Sequence, residues 1–168
     1  GDTVRNFYTE DIYVGYRYFD TFEVPVRYGF GYGLSYTDFE ITGCALKAVS
    51  AEKIRVTATV RNTGNVSGKE VVQVYASLPG GILEKEAHRL AAYAKTNELK
   101  PGEAQEVTME VKMDGLTSYD EKRAAWILES GFYGIWVGNS LASAKLCGGI
   151  KLDQEVIRRQ VRNLFPLK

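Results

Sequence analysis

Between residues 53 and 61 the chain alternates strictly, with Ile54, Val56, Ala58 and Val60 interleaved with Arg55, Thr57, Thr59 and Arg61. A period of two puts each set on its own face of an extended strand, so this stretch demands a sheet with one buried and one wetted side. Asn62-Thr63-Gly64-Asn65 then turns the chain, using residues that tolerate tight backbone geometry. Short apolar runs separated by turn residues continue to about Leu152. Residues 71–77 are apolar nearly throughout apart from Gln73, as expected of a central strand covered on both faces. Residues 90–96 read as a further strand, reached through a polar loop containing Pro79-Gly80-Gly81. Pro101-Gly102 marks a turn, and residues 106–112 alternate again with Val107, Met109 and Val111 inward, which reads as a hairpin. Residues 124–128 and 132–137, joined at Glu129-Ser130-Gly131, read as a second hairpin with Trp126 and Trp136 as its largest apolar contributions. Residues 144–152 add a closing strand.

About seven strands between residues 36 and 152 predict an all-β, antiparallel sandwich of the immunoglobulin or fibronectin type III kind. Its expected core draws on Val56, Val60, Val72 or Val74, Val107, Val111 and Trp126. A parallel α/β fold is excluded here because no segment of helical period separates the strands. Residues 1–35 differ: they are dense in aromatics and glycine, show no sustained alternation, and read as an irregular extension belonging to another domain. In residues 153–168, Val156, Ile157, Gln160, Val161 and Leu164 lie at helical spacing and Pro166 ends the run, predicting a short helical tail or a docking linker.

Lys plus Arg and Asp plus Glu number 21 each, so no overall field draws this chain to nucleic acid or to an anionic membrane. The start at Gly1 lacks the apolar centre of a secretory signal, which favours a cytoplasmic segment or one whose targeting sequence lies elsewhere. Cys44 and Cys147 sit far apart in apolar, strand-like stretches and are expected as two buried free thiols, with a disulfide as the lesser alternative. His88 is the only histidine. No multi-histidine metal site is possible within one chain, and a solvated loop position is expected for this residue. No phosphate loop, nucleophile elbow or Cys/His cluster is present, so no cofactor or metal is expected. Glycoside hydrolysis needs two carboxyl groups roughly 5 to 9 Å apart. Glu10, Asp11, Asp20 and Glu23 lie close in sequence, but nothing marks one as buried, and solvated or capping roles are expected. No catalytic residue is assigned. Tyr13, Tyr16, Tyr18 and Phe19 stand out as aromatics that either stack on sugar rings or pack against a domain absent from this chain.

Six blocks in order resemble family 3 glycoside hydrolases, the β-glucosidase-like enzymes. Phe30-Gly31-Tyr32-Gly33-Leu34-Ser35-Tyr36-Thr37 is similar to the stretch where that family's α/β sandwich domain passes into its fibronectin type III-like domain. Residues 10–20 resemble the family's Glu-Gly-Ile-x-Val-Gly-Tyr-Arg-Tyr-Tyr-Asp, and residues 60–64 with 68–75 resemble its Asn-Thr-Gly turn and central strand. Leu99-Lys100-Pro101-Gly102-Glu103, Leu116-Thr117-Ser118-Tyr119-Asp120, and Gly131-Phe132-Tyr133 with Val137-Gly138 complete the series. Gly29 stands where the family commonly has proline, and residues 87–93 depart from its Lys-Glu-Leu-Lys-Gly-Phe motif.

The resemblance implies three parts: residues 1–35 as the end of an α/β sandwich domain, 36–152 as the fibronectin type III-like sandwich, and 153–168 as linker or docking tail. It implies a non-catalytic module that buttresses an enzyme acting on terminal non-reducing β-linked sugars, with that enzyme's α/β and TIM-barrel domains as partners. The family's nucleophile is an Asp followed by Trp on the barrel, and no Asp here precedes Trp. The tail also resembles the connector of family members in which the barrel follows this domain, so the gene is expected to continue into a barrel. The competing readings are a carbohydrate-binding module acting through exposed aromatics, with weak saccharide binding, and a free-standing adhesion sandwich.

Overall fold

The computed structural model describes residues 8–162 and is built almost entirely from antiparallel strands. β1 (Phe39–Ser50), β2 (Lys53–Asn62) and β5 (Ala104–Lys112) form one sheet in the order β1-β2-β5. β3 (Val71–Ser77), β4 (Arg89–Lys95), β8 (Gly131–Gly138) and β9 (Lys145–Leu152) form a second, in the order β4-β3-β8-β9. These two sheets make the expected sandwich. A third, small sheet of β6 (Ser118–Asp120), β7 (Ala125–Leu128) and β10 (Val156–Gln160) runs β10-β7-β6. The one α-helix among the described residues is α1 (Tyr16–Thr21), in the stretch expected to be irregular.

The alternation of residues 53–61 is realised as read. Val56, Ala58 and Val60 are fully buried, and they meet Val72, Val74 and Ala76 of β3 and Val107, Met109 and Val111 of β5 in one core cluster. Both Val72 and Val74 belong to it. Trp126 does not: it lies half-buried on β7, in the small sheet, beneath the Arg159 guanidinium at 5.7 Å. Trp136 points out of β8, opposite the core residues Ile135 and Val137, and donates from its indole N–H to Ser77 Oγ at 3.0 Å. Inside the same strand Tyr133 is buried and its hydroxyl donates to the Glu129 carbonyl four residues back at 2.8 Å. This is the tyrosine corner that fastens immunoglobulin-like sandwiches at the start of the equivalent strand. Burial and the nearby Glu129 charge push the Tyr133 phenol up to about 12.

The structure corrects several expectations. Neither proposed hairpin forms: β4 pairs with β3 while β5 pairs with β2, and β7 pairs with β6 and β10 while β8 pairs with β3 and β9. The turns at Pro101-Gly102 and at Glu129-Ser130-Gly131 therefore carry the chain from one sheet to another. Residues 156–160 are a strand along β7 and not a helix; Leu164 lies outside the described residues. Nine strands, not seven, fall between residues 36 and 152. Cys44 and Cys147 form a disulfide, tying the edge strands β1 and β9 of the two main sheets. It closes the open side of the sandwich, and such a bond persists where the surroundings are oxidising.

The Asn62-Thr63-Gly64 turn shows why those residues occur together. Asn62 is fully buried, yet its amide donates to the carbonyls of Val66 and Leu99, both at 2.8 Å. Its oxygen accepts from Thr37 Oγ1 at 2.8 Å and from Gly64 N at 3.1 Å. A Cβ on Gly64 would lie 2.1 Å from Thr37 Oγ1, so this network admits only glycine there.

Candidate interface built by the aromatic strap

Residues 8–36 form a strap, of which Tyr16 to Gly31 lie against the outward face of the four-stranded sheet. β3 turns Gln73 and Tyr75 to that face, and Tyr75 is nevertheless fully buried, because the strap covers it. Tyr16 stacks on Phe30 with ring centroids 4.2 Å apart, and both stand nearly perpendicular to the Tyr75 ring at 6.4 Å. The Tyr75 hydroxyl donates to Gln73 Oε1, and Gln73 Nε2 donates to the Asn139 carbonyl at 2.7 Å. Burial, with Tyr16 and Asp20 nearby, drives the Tyr75 phenol far above its usual range. Gly31 crosses directly over this amide: its φ is +82° and a Cβ would fall 2.5 Å from the Gln73 side chain. Any other residue there would be both strained and in collision.

Polar contacts hold the strap along its length. Leu90 N donates to the Tyr16 hydroxyl at 2.8 Å, Ala87 N to Thr21 Oγ1 at 2.9 Å, and Leu141 N to the Phe30 carbonyl at 3.0 Å. His88 Nδ1 lies 3.0 Å from Asp20 Oδ2, and the imidazole stands edge-on to Trp136 at 5.1 Å. The expectation of a solvated His88 is thus corrected. Glu86, whose side chain is completely buried, receives the Arg89 guanidinium at 2.7 and 3.0 Å and Arg17 of the strap at 3.4 Å. Burial pushes the Glu86 carboxyl up, but the hydrogen bonds and charge of Arg89, joined by Arg17, outweigh it and hold the group below the usual range. Glu129 behaves alike: burial raises it, but Lys85 with the N–H groups of Ile82 and Leu83 outweighs this and holds it below the usual range.

These depressed carboxyls fix the sign of an acid response. Below about pH 4.3, the ordinary glutamate value, the unfolded chain binds protons that the folded chain still refuses. Stability contributed by Glu86 and Glu129 is complete above that value and is lost as pH falls through their folded values. Melting temperatures measured from neutral to acid pH should hold down to about pH 5 and then fall. Glu86→Gln should melt lower at neutrality and lose part of that acid slope; an unchanged slope would show that the buried pair is not formed.

Of the four aromatics singled out in the sequence, the structure brings all into the strap but gives them different roles. Tyr16 faces the sheet. Tyr13 and Tyr18 each lean on Phe22 at 5.0 Å, and Tyr18 stands edge-on to Phe19 at 5.6 Å. Tyr18, Phe19 and Phe22 are about half exposed, as are Tyr28 and Tyr32, while Leu34 and Tyr36 are 92% and 99% exposed. An apolar hollow of about 430 Å³ opens in the strap, lined by Tyr16, Phe19, Val24, Phe30 and Leu141 with Asp20 at its side. Among the candidate carboxyls, Asp20 is engaged by His88, and Glu10, Asp11 and Glu23 are exposed. Among the described residues no cluster of three metal-ligating side chains occurs.

A sandwich with a tyrosine corner, whose strap packs on the sheet on one side and exposes aromatics on the other, has the architecture of a fibronectin type III-like domain. Residues 70–141 match the family model of the fibronectin type III-like domain. The chain is 43% identical to Beta-glucosidase A of Butyrivibrio fibrisolvens over 93% of its own length and 21% of that protein. It is 44% identical to the beta-glucosidase of Ruminococcus albus over 95% of its length and 17% of that protein. Among solved structures, beta-glucosidase 3B from Thermotoga neapolitana in complex with glucose superposes with a TM-score of 0.83 at 43% identity, covering 89% of this chain and 21% of that one. A beta-glucosidase from Paenibacillus barengoltzii gives 0.87 at 38% identity, covering 97% and 19%. The chain belongs with the fibronectin type III-like region of family 3 glycoside hydrolases, and it spans about a fifth of the length of these relatives.

Proposed function

We propose that this chain is the non-catalytic module of a β-glucosidase-like enzyme that removes terminal non-reducing β-linked sugars, and that it buttresses the catalytic domains through the outer face of the strap. The strap up to residue 35 is then the end of a preceding α/β domain, residues 36–152 are the module proper, and 153–168 form the docking tail. The observation that carries this reading is the two-sided strap: Tyr16 packs against the sandwich with one side of Phe30 beside it, while Tyr18, Phe19, Phe22, Leu34, Tyr36 and the other side of Phe30 are exposed. Contiguous apolar surface of that kind marks an interface. Sugar stacking asks for open, flat ring faces. Tyr18 is instead tilted 50° to Phe22 and 87° to Phe19, and Tyr28 stacks on Tyr32 with Arg27 lying 5.6 Å from its ring centre.

Two measurements test the reading. The chain should not turn over aryl β-glucosides, because a retaining mechanism needs a carboxyl pair flanking the glycosidic bond; turnover abolished by replacing Asp11 or Asp20 would overturn this. Titration with glucose, cellobiose and soluble glucans should leave tryptophan fluorescence unchanged. A saturable change would instead favour a carbohydrate-binding module.

A further inference from the structure

We infer that loop 79–88 is a preformed docking knob that seats Ile82 in an apolar socket on the remaining domains of the same polypeptide. The inference rests on the docked-module reading and extends it to a second contact.

The loop is held with unusual thoroughness for a surface connection. Glu129, at the end of β7, accepts Ile82 N at 2.8 Å and Leu83 N at 3.4 Å, and forms an ion pair with Lys85 in which both side chains are more than nine-tenths buried. Lys85 also donates to the Leu83 carbonyl at 3.0 Å. A Cβ on Gly81 would lie 2.4 Å from the Glu129 carboxylate, so the backbone runs directly over that group. Glu86 with Arg89, and Ala87 with Thr21, pin the far end. Buried ion pairs add little net stability compared with apolar packing, so their structural product is the conformation itself. At the tip of this fixed loop stands Ile82, 94% exposed. A rigid loop presenting one large apolar side chain has already lost the freedom that binding would otherwise remove.

The occupant follows from position. Ile82 and Leu83 line one groove of about 620 Å³ with Asp11, Ile12 and Arg17 of the strap, so knob and strap front a continuous surface. The relatives' chains are about five times longer than the stretch matched here, and on the docked-module reading the counterpart of that remainder is the occupant. Asp11 and Glu84 are exposed beside the knob and Arg17, Arg89 and Lys122 line the same groove, so the rim that meets the apolar socket is of mixed charge.

The test is thiol labelling in the intact parent enzyme, with Ile82→Cys and Tyr18→Cys read separately by mass spectrometry. The thiol of Ile82→Cys should react at least about tenfold more slowly in the native enzyme than in the unfolded one, as for a site reached only through local opening. If it reacts at the rate of a free surface thiol while that of Tyr18→Cys is protected, the knob is refuted and the docked module stands. If both react freely, the docked-module reading falls with it.

Discussion

Val60→Asp is expected to abolish cooperative folding or to lower the melting temperature by at least about 10 °C. Val60 is fully buried towards the end of β2, the central strand of its sheet, between Ile41 of β1 and Gln105 of β5. A carboxylate there would find no cation, and the charge would have to be neutralised or the core opened, at a cost of roughly 4 kcal/mol or more against a total stability of about 5 to 15 kcal/mol. Arg61→Ser, one position along on the exposed side, should change stability by no more than about 0.5 kcal/mol. Near-ultraviolet circular dichroism and a thermal melt check both. A Val60→Asp protein melting within about a degree of the wild type would place this strand in the opposite phase.

Reduction of the Cys44–Cys147 bond should have the next largest effect. The bond closes a separation of 103 residues, and in the chain-entropy account a loop of that size restricts the unfolded state by about 4.7 kcal/mol, with 2 to 4 kcal/mol commonly realised. For a domain of this size that corresponds to a fall of about 5 to 15 °C on adding a phosphine reductant. Cys44→Ala/Cys147→Ala should show the lower melting temperature with or without reductant. Titration of the denatured protein should find no thiol before reduction and two after; two thiols from the start would restore the free-cysteine reading.

What the sequence made legible was local. The alternation of residues 53–61 announced β2, and the largely apolar run of 71–77, interrupted by Gln73, announced a strand covered on both sides, which the strap over Tyr75 explains. Where the local signal was interrupted, strands were missed. β1 shifts register between Thr42 and Ala45, breaking its period, and β6 is only three residues long. β10 shifts register between Ile157 and Arg159, so its apolar residues fall at spacings that imitate a helix. Pairings between distant residues left no trace at all. A turn such as Pro101-Gly102 is the same whether the next strand returns to its neighbour or crosses to the other sheet. The disulfide, the Asp20–His88 contact across 68 positions and the burial of Glu86 are properties of the folded chain; in sequence, Glu84-Lys85-Glu86 is indistinguishable from a solvated charged loop. The aromatics Tyr13, Tyr16, Tyr18 and Phe19 could be noticed by composition, but which faced inward depended on Gly31 and Gln73.

Hydroxyl-radical footprinting of the intact parent enzyme, with and without glucose, tests the docked module most directly. Tyr18, Phe19, Phe22, Leu34 and Tyr36, all exposed in this chain, should be protected from oxidation in the whole enzyme whether or not sugar is present. Oxidation of these residues at the rates of freely exposed side chains, or protection that appears only when sugar is added, would contradict the account.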